Sequence, residues 1–78
     1  LTADQVHAEA LRLSENEALA LILSEIDTAA RDGLVATPAD KIEQIRDHQA
    51  MARAVYTIRE RVRLLVAGNA PKKPSGLA

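Results

Sequence analysis

The stretch Leu13-Ser-Glu-Asn-Glu-Ala-Leu-Ala-Leu-Ile-Leu23 places a polar break directly before a run that is apolar in almost every direction around a helix axis. The break is a helix start: Ser14 followed by Glu17 has the pattern of a capping box, and two carboxylates, Glu15 and Glu17, fall in a first turn where the helix dipole favours negative charge. The run behind it raises the question of what covers so wide an apolar surface. One helix packed against one partner hides a single stripe, and a helix that is apolar all round belongs to a larger core.

The chain around this stretch is small. Its 78 residues and 8.4 kDa make one domain at most, in the size range where a single core is only marginally sufficient and oligomerisation, metals or disulfides commonly add to it. Cysteine is absent, which excludes disulfides and any cysteine-containing metal cluster. The apolar fraction of 47% is mostly Ala, Leu, Ile and Val, with Tyr56 the single aromatic. Such a composition favours helices packed through small side chains over a β-sandwich or barrel. The longest apolar run, Ala18 to Leu23, falls far short of the roughly 20 residues that span a bilayer. The N-terminus has no basic region followed by a long apolar core, so the expectation is a soluble, non-secreted chain, and the opening Leu1 in place of Met fits either a trimmed start or an imposed boundary.

Two further start signals flank the opening stretch. Thr2-Ala-Asp-Gln5 has the spacing of a capping box, and Thr37-Pro-Ala-Asp40 places Pro38 where a first helical residue loses nothing by lacking its N–H. Gly33 after Asp32, and Gly68 with Asn69 after Ala67, read as stops. These signals predict a helix from about Glu15 to Asp32, a turn Gly33–Thr37 and a long helix from about Pro38 to Ala67. Residues 3–13 form either a separate short helix or a continuation flawed at Ser14, and local capping favours the break.

The fold expected is therefore all-α: an antiparallel two-helix hairpin, coiled-coil-like, over residues 14–67. A short N-terminal helical segment (1–13) precedes it, a flexible tail (68–78) follows it, and oligomerisation or partner docking completes it. A five-residue connection favours antiparallel neighbours. Paired outward from that turn, Ala29 and Ala30 fall near Ile42, Ile26 near Ile45, Leu19 and Ile22 near His48 to Ala52, and Leu11 near Ile58 to Val62. The stripes Leu19-Ile22-Ile26-Ala29 and Val55-Ile58-Val62-Leu65 step by 3, 4 and 3. Leu23 and Ala30, with Ala20 and Leu21, are then left uncovered, as are the three consecutive residues Leu64, Leu65 and Val66. Burying one Leu or Ile contributes about 1.5–3 kcal/mol, so four or five left in water forgo on the order of 6–15 kcal/mol, comparable to the stability of a whole domain. The segment before Ser14 has only Val6, Leu11 and Leu13 as large apolar groups and cannot cover all of them. Leu21, Leu23, Leu64, Leu65 and Val66 are accordingly the interface candidates.

Charge is divided unevenly. Residues 1–50 carry four basic and ten acidic groups, a formal −6, while residues 51–78 carry six basic groups against Glu60 alone, a formal +5. In a hairpin the acidic start of the first helix lies beside the basic end of the second; this sets register more than stability, because exposed pairs contribute about 0–1 kcal/mol each. Cations near a helix C-terminus are favourable in their own right. An alternative use of Arg53, Arg59, Arg61, Arg63, Lys72 and Lys73 is contact with phosphates or an acidic surface, as in a nucleic-acid-associated accessory factor. Arg59 and Arg63 share a face, Arg61 points elsewhere, and a mildly acidic chain with one Tyr lacks the usual basic, aromatic-lined footprint.

Catalytic chemistry is not legible. His7 and His48 are far apart in sequence, and Asp47 beside His48 diverges from it by about 100° on a helix. Glu43 and Asp47 repel more than they chelate, so a metal site needs acidic groups from another helix or another copy, and no metal or cofactor is expected. Ser14 reads as a cap, Met51 as core filler and Tyr56 as a packed ring with its hydroxyl at an edge. No glycine-rich phosphate loop or nucleophile–base set is present, and the expectation is a non-enzymatic protein.

Two segments, Glu17-Ala-Leu-Ala-Leu-Ile-Leu-Ser-Glu-Ile-Asp-Thr-Ala-Ala30 and Ala52-Arg-Ala-Val-Tyr-Thr-Ile-Arg-Glu-Arg-Val-Arg-Leu-Leu65, resemble small helical-hairpin proteins encoded among the structural and assembly genes of tailed bacteriophages and prophages. In those proteins an acidic first helix precedes a second that bears an Ile-Arg pair and a further Arg. The resemblance covers about residues 14–67 and rests on pattern, without a diagnostic motif. It implies a virion-associated or morphogenesis role in the bacterial cytoplasm or the virion, with a second copy or a larger phage or bacterial assembly as partner.

Overall fold

A computed structural model of the protein describes residues 1–68, and among them the fold is all-α, with three helices and no strand. Helix α1 spans Ala3–Ser14, α2 spans Glu17–Ala36 and α3 spans Ile42–Ala67. Both α1 and α2 pack on α3. The C-terminal extension, with Lys72 and Lys73, lies outside the described residues.

The helix boundaries follow from local hydrogen bonding. At Thr2 the capping box is present: Gln5 N–H donates to the Thr2 hydroxyl at 3.1 Å, and Thr2 N–H donates to Gln5 Oε1 at 2.8 Å. The start of α2 differs from the one predicted at Ser14. Asn16 is the cap, its Oδ1 accepting from Leu19 N–H at 2.8 Å, while the Ser14 hydroxyl turns back to the Leu11 carbonyl at 2.7 Å as the last residue of α1. Both residue types cap well; the choice falls to Asn16 because Ser14 already serves the end of the preceding helix. At the other end of the chain Gly68 adopts a left-handed conformation, φ 80°, and its N–H closes on the Leu65 carbonyl at 3.1 Å.

The middle of the chain departs further from expectation. Gly33 does not stop α2; it is an interior helical residue, and the helix runs three residues beyond it to Ala36. Thr37 closes the helix through its N–H and its hydroxyl, which donate to the Gly33 carbonyl at 2.9 and 2.6 Å. Thr37 itself is extended, at φ −82° and ψ 128°, as the residue before a proline is driven to be. Pro38 thus terminates α2 rather than opening α3. A turn follows in which Lys41 N–H donates to the Pro38 carbonyl at 3.0 Å, and α3 begins at Ile42 without a side-chain cap.

Moving the turn towards the C-terminus shifts the pairing of α2 with α3 by about ten positions from the predicted register. Gly33 faces His48, and Ser24 meets Arg59, whose Nη2 donates to the Ser24 hydroxyl at 3.3 Å; the two helices therefore run in opposite directions. The rotation of α2 is also different. Leu23 and Ala30 are buried and Leu19, Ile26, Gly33 and Thr37 are half-buried, whereas Ile22 and Ala29 face out. On α3 the inward set is Ile45, His48, Ala52, Val55 and Val62, with Val55 almost fully enclosed, while Ile58 is exposed.

Helix α1 packs on the C-terminal end of α3, beside the start of α2. Its first turns meet Leu64, Leu65 and Gly68, and its last residues, Leu13 and Ser14, approach Val62 and Val66. Ala10 is buried, and His7 Nδ1 lies 3.3 Å from the Leu65 carbonyl oxygen. A carbonyl only accepts, so the His7 proton in this contact sits on Nδ1. The buried apolar core amounts to Ala10, Leu23, Ala30 and Val55.

Two consequences are measurable. Asn16→Ala is expected to destabilise the protein by about 1 kcal/mol through the lost cap, and Ser14→Ala by no more than about 0.5 kcal/mol; chemical denaturation ranks the two. A Cβ at Gly33 would overlap the His48 ring, so Gly33→Ala gains about 1 kcal/mol of helix propensity but must displace that ring, at a cost of about 1–3 kcal/mol. In a His48→Ala background the same change keeps the gain alone. Denaturant midpoints for the four proteins of this cycle are expected to show the two positions coupled in that sense.

Candidate interaction surface

The structure places the five residues singled out in sequence as an interface in three different settings. Leu21 is exposed, at 59%. Leu23 is buried between α2 and α3, which corrects the expectation that it stays uncovered. The reason is the rotation of α2: the stripe facing α3 is Leu19-Leu23-Ile26-Ala30 in place of Leu19-Ile22-Ile26-Ala29. Leu64, Leu65 and Val66 are half-buried, because α1 folds over the end of α3 and covers more of them than its few large side chains led us to expect.

The surface that is left open lies elsewhere. Ile22 on α2 and Met51 and Ile58 on α3 are 51%, 51% and 44% exposed, and Ala29 is exposed beside them. Ile22 and Ala29 are seven residues apart, as are Met51 and Ile58, so each pair projects on one side of its helix, two turns apart. Ile26, Ala29, Asp47, His48 and Met51 line a single shallow groove between α2 and α3, which puts the two pairs on the same flank of the contact. Sequence reasoning assigned Ile22, Ala29 and Ile58 to the inside. The signal that separates the alternatives is the longer repeat, Leu19, Leu23, Ile26, Ala30, Gly33 and Thr37, visible only once α2 is carried past Gly33.

On the opposite flank a cleft of about 320 Å³ opens where α1 ends and α2 begins. Its walls are Leu13, Leu19, Ala20, Leu23, Val62 and Val66, with Arg59 and Arg63 at the rim. Both arginines are engaged within the chain, Arg59 with Ser24 and Arg63 with Glu60. Among the described residues the ion pairs are Glu9–Arg12, Asp27–Arg31 and Glu60–Arg63, each within one helix, so the acidic-to-basic polarity of the chain is not expressed as pairs between helices. Arg53 and Arg61 are exposed on α3. Among the described residues no group of three His, Asp or Glu side chains is placed to hold a metal, and no helix is long and apolar enough to cross a membrane.

With this geometry in view, comparison with protein-family models, curated proteins and solved structures found no match.

The Arg63–Glu60 pair has a titration consequence. Hydrogen bonding from the Arg63 guanidinium, aided by its charge, holds the Glu60 carboxyl below the usual carboxylate range. A carboxyl lowered in the folded state contributes stability above its unfolded value and loses it as pH falls through the lowered one. Arg63→Ala is therefore expected to return the Glu60 titration midpoint upward towards the ordinary value, as followed by side-chain carboxyl NMR shifts.

Proposed function

We propose that this chain is a non-enzymatic helical interaction protein that works by association, with α2 and α3 forming an antiparallel, coiled-coil-like hairpin whose open flank is the contact surface. The observation that carries this reading is the asymmetry of the two sides of the α2–α3 contact. In a helix pair exposed on both sides, the positions flanking the seam are commonly charged. Here one flank carries Ala20, Asp27 and Leu34 from α2 and Gln49, Tyr56 and Arg63 from α3, a mixed set suited to water. The other carries Ile22, Ala29, Met51 and Ile58, all apolar and all exposed, with Gln44 and Asp47 as its polar residues towards the start of α3. Among the described residues four are fully buried and no metal cluster reinforces them, and cysteine is absent from the sequence; small cores of this kind commonly gain stability from a partner.

The pattern of residues 17–30 and 52–65 supports placing this activity in virion assembly or morphogenesis of a tailed phage, through its resemblance to the small hairpin proteins encoded among such structural genes. The reading takes association as the function and assigns no reaction to the chain.

Sedimentation or light scattering at tens of micromolar tests it. The full chain is expected to exceed its monomer mass of 8.4 kDa, and Met51→Asp with Ile58→Asp is expected to return it to that mass while retaining helical content. Association that persists unchanged in the doubly substituted chain, or a monomeric parent, overturns the reading.

A further inference from the structure

The cleft on the flank away from the association surface has the make-up of a ligand site. Its volume of about 320 Å³ falls at the lower end for small-molecule pockets, which are mostly apolar, have a few polar groups that fix orientation, and form in bundles between the helices. Leu13 from α1, Leu19 and Leu23 from α2, and Val62 and Val66 from α3 give it walls whose side chains form no hydrogen bonds. Ser14 also lines it, but its hydroxyl donates to the Leu11 carbonyl. An occupant must therefore be apolar over most of its length. Counted in units of roughly 30 Å³, the share of one water molecule in the liquid, the cleft holds on the order of ten groups of methylene size.

The rim adds a charge requirement. Among the described residues the charged groups that line the cleft are Arg59 and Arg63, and the two are not equivalent. Glu60 accepts from Nε and Nη2 of Arg63 and neutralises it. Arg59 has a neutral partner: its Nη2 donates to the Ser24 hydroxyl at 3.3 Å, and among the described residues it belongs to no ion pair. A guanidinium has five N–H donors in a planar fork, so Arg59 keeps its charge and most of its donors. Glu15, Glu17 and Glu60, the carboxylates nearest in sequence to the lining residues, do not themselves line the cleft. With Glu60 set against Arg63, the rim retains the positive charge of Arg59 beside an apolar interior. Guanidinium forks match carboxylates and phosphates; a single charge is balanced by a carboxylate, whereas a phosphate monoester brings close to two.

We infer that the cleft binds an alkyl monocarboxylate of medium chain length, its chain laid along Leu19, Val62 and Val66 and its carboxylate on the Arg59 guanidinium. Such a ligand touches all three helices, since Leu13 closes the cleft from α1, and it bridges the end of α1 to the start of α2. The site is separate from the association surface, which lies on the other side of the α2–α3 contact.

Decanoate, held below the concentration at which it forms micelles, is the probe, and methyl NMR of the full chain is the readout. The methyl shifts of Leu13, Leu19, Val62 and Val66 are expected to follow one saturable curve while those of Ile22, Met51 and Ile58 stay in place. Arg59→Gln removes the charge and is expected to weaken decanoate binding about tenfold or more, as the loss of a charge-assisted hydrogen bond does, while leaving the affinity for decanol unchanged. Ala20 lines the cleft yet is exposed, so Ala20→Phe fills the space from outside the core; it is expected to abolish binding of both probes with helical content retained. Equal affinity for decanoate and decyltrimethylammonium, decanoate shifts confined to the flank of Ile22, Met51 and Ile58, or no saturable shift up to the micelle threshold overturns the inference.

Discussion

The contact between Gly33 and His48 sets the geometry on which the rest of this fold depends. Without a Cβ at residue 33, α2 can come close enough to α3 for an imidazole to lie against its backbone. That close approach fixes the register of the two longest helices and, with it, the direction in which every other side chain of α2 points. Leu23 and Ala30 go inward; Ile22 and Ala29 go outward. The helix continues through the glycine at a propensity cost of about 1 kcal/mol, which the surrounding contacts offset. His48 and Arg59 then stand as two polar residues on an otherwise apolar line, one facing Gly33 and the other reaching Ser24. Placed eleven residues apart, they mark one alignment of the two helices and disfavour slipped ones, in the way that a polar residue in a coiled-coil seam specifies register at some cost in stability.

Much of the secondary structure could be read from residues with local roles. The capping box at Thr2, the stop at Gly68 and the interruption after Leu13 all depend on hydrogen bonds within a few positions, and a reader of the sequence has those positions in hand. The errors concern residues with two possible local uses. Gly33 can end a helix or admit a neighbour, and Pro38 can open a helix or close the one before it. Tertiary contact decides the first, since His48 occupies the space that a side chain at Gly33 would fill, and the second follows from it, because a helix carried past Gly33 meets Pro38 at its end and closes on Thr37. Ser14 against Asn16 is a smaller case of the same kind, in which two competent caps stand two residues apart.

The inward stripe of α2 was illegible for a different reason. The two candidate stripes share Leu19 and Ile26 and differ by Ile22 with Ala29 against Leu23 with Ala30. One Ile and one Ala weigh almost the same as one Leu and one Ala in apolar area, so hydrophobicity alone leaves the rotation undecided. The candidate surface inherits that degeneracy. A rotation of one residue exchanges Leu23 for Ile22 at the open flank, which is why an apolar excess could be deduced from composition while the residues that display it could not. On α3 the end at Leu64–Val66 was misjudged because α1 lies along it through small and polar residues as well as large ones, with Ala3, Val6 and His7 beside Leu64 and Leu65 and Leu13 beside Val66.

The open flank and the small core are two views of the same distribution of apolar residues. Several large apolar side chains, Leu21, Ile22, Met51 and Ile58, lie outside, while Ala30, Gly33 and Ala52 share the inside with Leu19, Leu23, Ile26, Ile45, Val55 and Val62. Close approach of the helices is confined to the neighbourhood of Gly33, where His48 lies against the backbone, and the same rotation of α2 that turns Leu23 and Ala30 inward leaves Ile22 and Ala29 at the edge beside Met51 and Ile58. The seam and the apolar edge are therefore set by one rotation. Enlarging the seam residues to strengthen the single chain would push the helices apart and disturb the register, whereas a second layer on the flank buries the outward side chains without altering the seam at all. That asymmetry supports the proposal of association, and it ties the proposed function to the same residues that determine the fold.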